Sequence, residues 1–264
     1  MNPHLCRIAL RPRTTPESFD LSLLLLRRHL RRFIELTVFV VLPAIVVILG
    51  FWAVMAPQDR WFLVLATFVV APLVHGPFTV LTGRLLFSDD VTARQALREV
   101  GGRLSGLFRA WMAQTVALVF GVCSGVMWIV TLPVTVYVFE TALLERVGAQ
   151  ATVGRSSNLA WRHSSAAVVA VLAFGLLTLW GGLVGEFTGQ VVVGFLLQLG
   201  EPFGSLWNLQ LTPYVFIGML LVQPLFAIFR LLLYVDVRTR VEGWDLQVAL
   251  RAAGLGAAPP EGAA

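Results

Sequence analysis

The sequence predicts an all-α fold: a polytopic membrane helix bundle of six transmembrane helices, with amphipathic helices at its cytoplasmic surface. Three observations lead there. Hydrophobic residues make up 57% of the 264-residue chain and charged residues only 13%, with a mean hydropathy of +0.79, whereas a soluble domain carries about one quarter charged residues. The apolar residues fall in runs long enough to cross a bilayer, for which about 20 residues suffice at 1.5 Å each. Between those runs the basic residues gather, and all of them are arginine.

A net charge of +5 and a pI near 10.2 would point to nucleic acid in a soluble protein. Here the arginines stand beside apolar segments, as they do in membrane proteins oriented by their basic loops, so the sequence predicts no nucleic-acid partner. Cys6 and Cys123 are isolated thiols, which argues against a disulfide framework. The sequence up to Asp20 has no apolar core ahead of a small-residue cleavage site. Insertion is therefore expected to rely on the first membrane helix.

Residues 1–17 read as a flexible cytoplasmic tail, 18–252 as the six-helix membrane domain, and 253–264, rich in Ala, Gly and Pro, as a disordered tail. Ser18 to Arg32 has the pattern of a basic amphipathic helix, with Leu23, Leu26, Leu30 and Phe33 on one stripe and Arg27, Arg28, Arg31 and Arg32 opposite. Such a helix lies in the cytoplasmic interface with its arginines at lipid phosphates. Phe33 to Met55 is the first crossing. Trp61 to Phe87 is the second, and Pro72, His75, Gly76 and Pro77 inside it predict a kink whose freed backbone groups bond to protein rather than lipid. An ionisable His75 at that depth is a functional candidate; the alternative is a neutral imidazole bonding one of the freed carbonyls.

Ser88, Asp89 and Asp90 are expected to cap a second surface helix, Val91 to Leu104, with Ala93, Ala96, Leu97, Val100 and Leu104 inward and Arg94, Arg98 and Arg103 outward. Leu107 to Leu144 is too long for one crossing and predicts two, joined by a tight turn around Gly121, Cys123, Ser124 and Gly125. The second of these is short and contains Pro133 and Glu140. After a polar stretch to His163, Ser164 to Phe187 is the fifth crossing, and Val191 to Leu199 reads as a re-entrant or interfacial piece. Pro213 to Tyr234 is the sixth. With this topology every arginine but Arg60 falls on one side of the membrane, which places both termini in the cytoplasm.

Two patterns carry candidate residues. Pro77-Phe-Thr-Val recurs as Pro133-Val-Thr-Val, and at the same offset Val91 and Ala93 match Val147 and Ala149; with Pro224 this suggests three helical-hairpin repeats. Arg84 and Glu140 stand at equal distances after their repeat prolines, so the repeat predicts that they meet as an ion pair. The second pattern is the exit of the last helix, where Asp236 precedes Arg240 and Arg238 precedes Glu242 by one turn. Gly243 is placed to end that helix and Asp245 to cap a short one after it.

This exit, Tyr234-x-Asp236-x-Arg238-x-Arg240-x-Glu242-Gly243-x-Asp245-Leu246, resembles the membrane domain found on some bacterial glycerophosphoryl diester phosphodiesterases and on related stand-alone membrane proteins. The resemblance extends to LLRRHLRRF, GPFTVLTGRLLF and the ALRE helix, and so over most of residues 20–250. It implies six helices in a bacterial inner membrane and no defined activity. The catalytic barrel of those enzymes, about 250 residues, has no counterpart here, so esterase activity is not implied.

The sequence holds no Walker loop, no zinc-type His pair on one helix and no Ser/His/Asp set. It therefore predicts no catalytic, cofactor-binding or metal-ligating residues. The leading expectation is a non-enzymatic scaffold or accessory subunit whose arginine-rich face holds anionic lipid headgroups or a protein partner. The alternative is a permease or transporter component built on His75 and Glu140. A closed core favours the first, and a polar cavity lined by His75 the second.

Overall fold

The computed structural model describes residues 13–86, 88, 91–125, 127–145 and 149–243. These residues are mostly helical and contain no strand. Eleven α-helices follow in order among them: α1 Thr15–Arg28, α2 Leu30–Val54, α3 Trp61–Leu85, α4 Ala93–Gly101, α5 Leu104–Cys123, α6 Trp128–Thr135, α7 Val138–Leu144, α8 Ala149–Arg162, α9 Ser164–Gln190, α10 Pro213–Leu221 and α11 Gln223–Glu242. Five stretches, Leu30–Val54, Trp61–Leu85, Leu104–Cys123, Ser164–Leu196 and Pro213–Val241, are long and apolar enough to cross a membrane; Ile129–Leu144 is apolar but shorter.

Burial divides these stretches into an inner and an outer set. The apolar windows of Trp61–Leu85 and Pro213–Val241 are 61% and 72% buried, against 17% for Leu30–Val54 and 28% for Leu104–Cys123. Thus α3 and α11 form the centre, with α7 against α3, while α2, α5 and α9 turn apolar side chains outward. A helix that is apolar on every side suits a core position, and exposed apolar faces on the outer helices suit lipid. Consecutive helices pack as pairs: α2 on α3, α5 on α6 and α7, α9 on α10.

Local chemistry sets the breaks. The split expected within residues 107–144 occurs at Ser124 and Gly125, where Gly125 has φ +71° and the Ser124 hydroxyl donates to Phe120 O at 2.7 Å. Thr131 then donates to Ala117 O across the returning helix at 3.0 Å. Pro224 separates α10 from α11, since it has no N–H to continue the ladder. Gly243, at φ +58°, ends α11 as a left-handed cap.

Several expectations are corrected. The first surface helix stops at His29, and Arg31 and Arg32 belong to the first turn of α2. Its packed face is Ser18, Ser22 and Leu25, against α11, while Leu23 and Leu30 are exposed. The cap of α4 is Thr92, whose N–H donates to Gln95 and whose hydroxyl accepts from the Gln95 N–H. Leu104 is exposed, because it begins α5 instead of ending α4. Val191–Leu196 is no separate piece: nothing between Gln190 and Val191 stops the helix, and α9 runs on into a π-helical turn. Asp89, Asp90, Val147, Asp245 and the expected tails outside 13–243 lie beyond the described residues, as does the Glu242 side chain.

Glycine brings α9 and α10 into backbone contact. A Cβ on Gly185 would sit 2.5 Å from Tyr214 O and 2.7 Å from Gly218 Cα, and one on Gly218 would sit 2.1 Å from Gly181 O. Helices pack this closely in membranes through small residues spaced four apart, as Gly181, Gly185 and Gly189 are.

Candidate functional site

Four helices bring their polar residues together at the centre of the fold. Arg230 of α11 donates from Nε to Glu140 Oε1 of α7 at 2.7 Å, and its Nη1 reaches His75 Nδ1 of α3 at 3.2 Å. His75 Nε2 lies 2.8 Å from Gln223 Oε1. Gln223 Nε2 donates in turn to Thr178 Oγ1 of α9 at 3.1 Å and to Met219 O at 2.6 Å. The relative exposure of Thr178, Gln223, His75, Arg230 and Glu140 is 0% for each.

The donors fix the protonation pattern along this chain. A guanidinium can only donate, so His75 Nδ1 must accept, and its Nε2–H then donates to the Gln223 carbonyl. Gln223 is thereby oriented with its amide toward Thr178. The ion pair cancels its own charge, and aromatic faces supply the rest of the shell. Arg230 lies 5.2 Å from the Phe139 ring and 5.7 Å from Phe226, distances at which a desolvated cation gains from the ring quadrupole. Phe174 and Phe226 flank the imidazole at 5.6 and 5.1 Å. Satisfaction is incomplete: Glu140 Oε2, Arg230 Nη2 and the Tyr137 hydroxyl are buried without a hydrogen-bond partner among the described residues.

A second polar layer lies toward the arginine-rich end. Tyr234 donates to Glu145, which also accepts from Arg155 and lies 3.6 Å from Arg238. Asp236 accepts from the Arg13 backbone N–H at 2.6 Å and from Arg240 at 2.9 Å, while Arg240 also reaches Arg13 O. The end of α11 is thus bonded both to the chain before α1 and to the end of α7. Glu99 of α4 takes Arg84 at 2.9 Å and Arg103 at 2.6 Å, and Arg103 also donates to Leu143 O.

The expected pair of Arg84 with Glu140 is therefore replaced. Arg84 ends α3 with a half-exposed side chain on Glu99, while Glu140 faces inward to Arg230. His75 meets Arg230 and Gln223, and neither partner is a freed carbonyl. The Trp111 indole donates to a backbone carbonyl of α3, Val69 O, at 2.7 Å. The sequence reading missed Arg230 because it counted with the charges after Tyr234; an arginine inside Phe226–Tyr234 was itself the signal. It also missed Glu186 of α9, 3% exposed, which accepts from Thr212 and from Leu206 N at 2.9 Å and so ties down the segment before α10.

Among the described residues no group of three His, Cys, Asp or Glu side chains is placed to hold a metal. No protein-family model, curated protein or solved structure matches this chain.

Proposed function

We propose that this protein is a non-enzymatic integral membrane protein, a scaffold or accessory subunit that presents an arginine-rich cytoplasmic face to anionic headgroups and a protein partner. In this reading it crosses a bacterial inner membrane six times, as three helical hairpins, with both termini in the cytoplasm. The short stretch Ile129–Leu144 supplies the crossing that the five longer ones lack. The reading keeps the kinship with the membrane domain of glycerophosphoryl diester phosphodiesterases, in which the Tyr234 to Arg240 motif serves to anchor the last helix.

The observation that carries it is the closed core. His75, Glu140 and Arg230 have no exposed surface and spend their polar atoms largely on each other, whereas Arg94, Arg98 and Arg162 are exposed. Purification from native membranes without overexpression tests it, and a recurrent soluble enzyme in the eluate is the expected result. A phosphodiesterase barrel there would support the kinship as well.

One observation favours the permease reading. Glu140 Oε2, Arg230 Nη2 and Tyr137 Oη are buried without partners, and polar groups left incompletely satisfied in one conformation gain from a second that completes them. Proteoliposome flux that changes on His75→Ala, with no recurrent partner, would decide for it.

A further inference from the structure

The arginines at the junction of α1 and α2 form a built groove, and it is not accounted for by the ion pairs described above. The groove has a volume of about 360 Å³ and is lined by Arg28, His29, Arg31, Arg32, Glu35 and Thr92. Among the described residues three guanidinium groups thus face a single carboxylate, and that carboxylate is engaged by Arg31 at 3.2 Å. Among the described residues Arg32 Nη1 is buried and has no hydrogen-bond partner, a costly state for a charged donor unless an acceptor enters the groove. On the facing wall Thr92 caps the N-terminus of α4, whose aligned amides add positive potential.

Depth and shape identify the acceptor. Helix α2 has 25 residues, about 37 Å against about 30 Å of hydrocarbon, so its first turn, with Arg31 and Arg32, reaches the headgroup layer. Leu30, Ile34, Val38 and Leu42 are exposed along its outer side. At 3.6 residues per turn that stripe winds beneath Arg31 and Glu35. An acyl chain lying on the stripe delivers its phosphate into the groove. We infer that the α1–α2 junction is a binding site for one anionic phospholipid, with Arg28 and Arg32 holding the phosphodiester and Arg31 facing the headgroup. This rests on the membrane placement proposed above, and deepens it from a general basic face to a single site.

The test uses the full chain, delipidated in detergent and titrated with phosphatidylglycerol or phosphatidylcholine, with bound lipid counted by native mass spectrometry. Each basic residue close to an anionic surface is worth about a fivefold change in affinity. The wild type should therefore prefer phosphatidylglycerol by about fivefold through Arg31, and Arg28→Gln with Arg32→Gln should weaken its binding of phosphatidylglycerol by about 25-fold. Arg162→Gln, on exposed α8, should leave it unchanged. If the double variant does not stay monodisperse, Arg31→Gln takes its place, since that side chain is 92% exposed and its loss should lower the preference by about fivefold. Wild-type affinity in the double variant, or wild-type preference in Arg31→Gln, would overturn the site, as would an equal loss in Arg162→Gln. Displacement of the lipid by an equal concentration of inorganic phosphate would assign the groove to free phosphate instead. Partner capture from native membranes reads the scaffold role separately, so either can fail alone.

Discussion

Arg230 decides more about this core than any other side chain, because it is the one permanent charge at its centre. Removing one member of a buried ion pair leaves the other uncompensated and costs about 3–5 kcal/mol, whereas replacing both with apolar residues of similar size is often neutral or better. Glu140→Ala and Arg230→Ala should each lower the unfolding midpoint in detergent sharply, and Glu140→Leu with Arg230→Met should restore most of it. Arg84→Ala, which removes a half-exposed pair with Glu99, should cost no more than about 1 kcal/mol. A loss at Arg84 as large as that at Arg230 would contradict the pairing described. At this scale the sequence announced His75 and Glu140 as odd residues in apolar runs. It could not announce their partner, which lies 90 residues from Glu140 and is set by how α7 and α11 face each other.

Among the elements, the contact of α9 with α10 is the least tolerant. At Gly185 the neighbours of an added methyl are the Tyr214 carbonyl and the Gly218 backbone, and neither can rotate away as a side chain would. Gly185→Ala should therefore destabilise by about 1–3 kcal/mol or more. Gly175→Ala, where nothing lies within 4 Å of the added carbon, should be neutral or gain up to about 1 kcal/mol of helix propensity. Thermal melts of the two variants compare them directly, and equal losses would mean that the close approach is absent. The spacing of Gly181, Gly185 and Gly189 was visible in the sequence. The orientation of α1 was not, for a physical reason: in a bilayer the outward face is apolar too, so Leu23 and Leu24 pass to the outside while Ser18 and Ser22 pack inward. Amphipathic pattern identifies a core face only when the solvent is water.

For the whole molecule, the division into apolar helices and arginine-rich surface segments was legible from hydropathy and charge, including the turn at Gly125. The convergence of α3, α7 and α11 was not, since it depends on contacts between residues far apart in the chain. The proposed topology puts Trp207, 86% exposed, and Arg162 on opposite sides of the membrane. With Cys6 and the exposed Cys123 replaced by serine, Trp207→Cys should react with an impermeant thiol reagent from outside the cell, and Arg162→Cys only after permeabilisation. The reverse pattern would invert the molecule.

The brevity of the α6–α7 pair carries one more consequence. From Trp128 to Leu144 the rise is about 25 Å, some 5 Å less than a typical hydrocarbon layer. On the proposed topology, lipids along this flank must compress or tilt to meet it, at a cost of fractions of a kcal/mol per Å. The protein would then carry a built-in sensitivity to bilayer thickness, drawing it toward thinner patches and toward neighbours that share the same dimple.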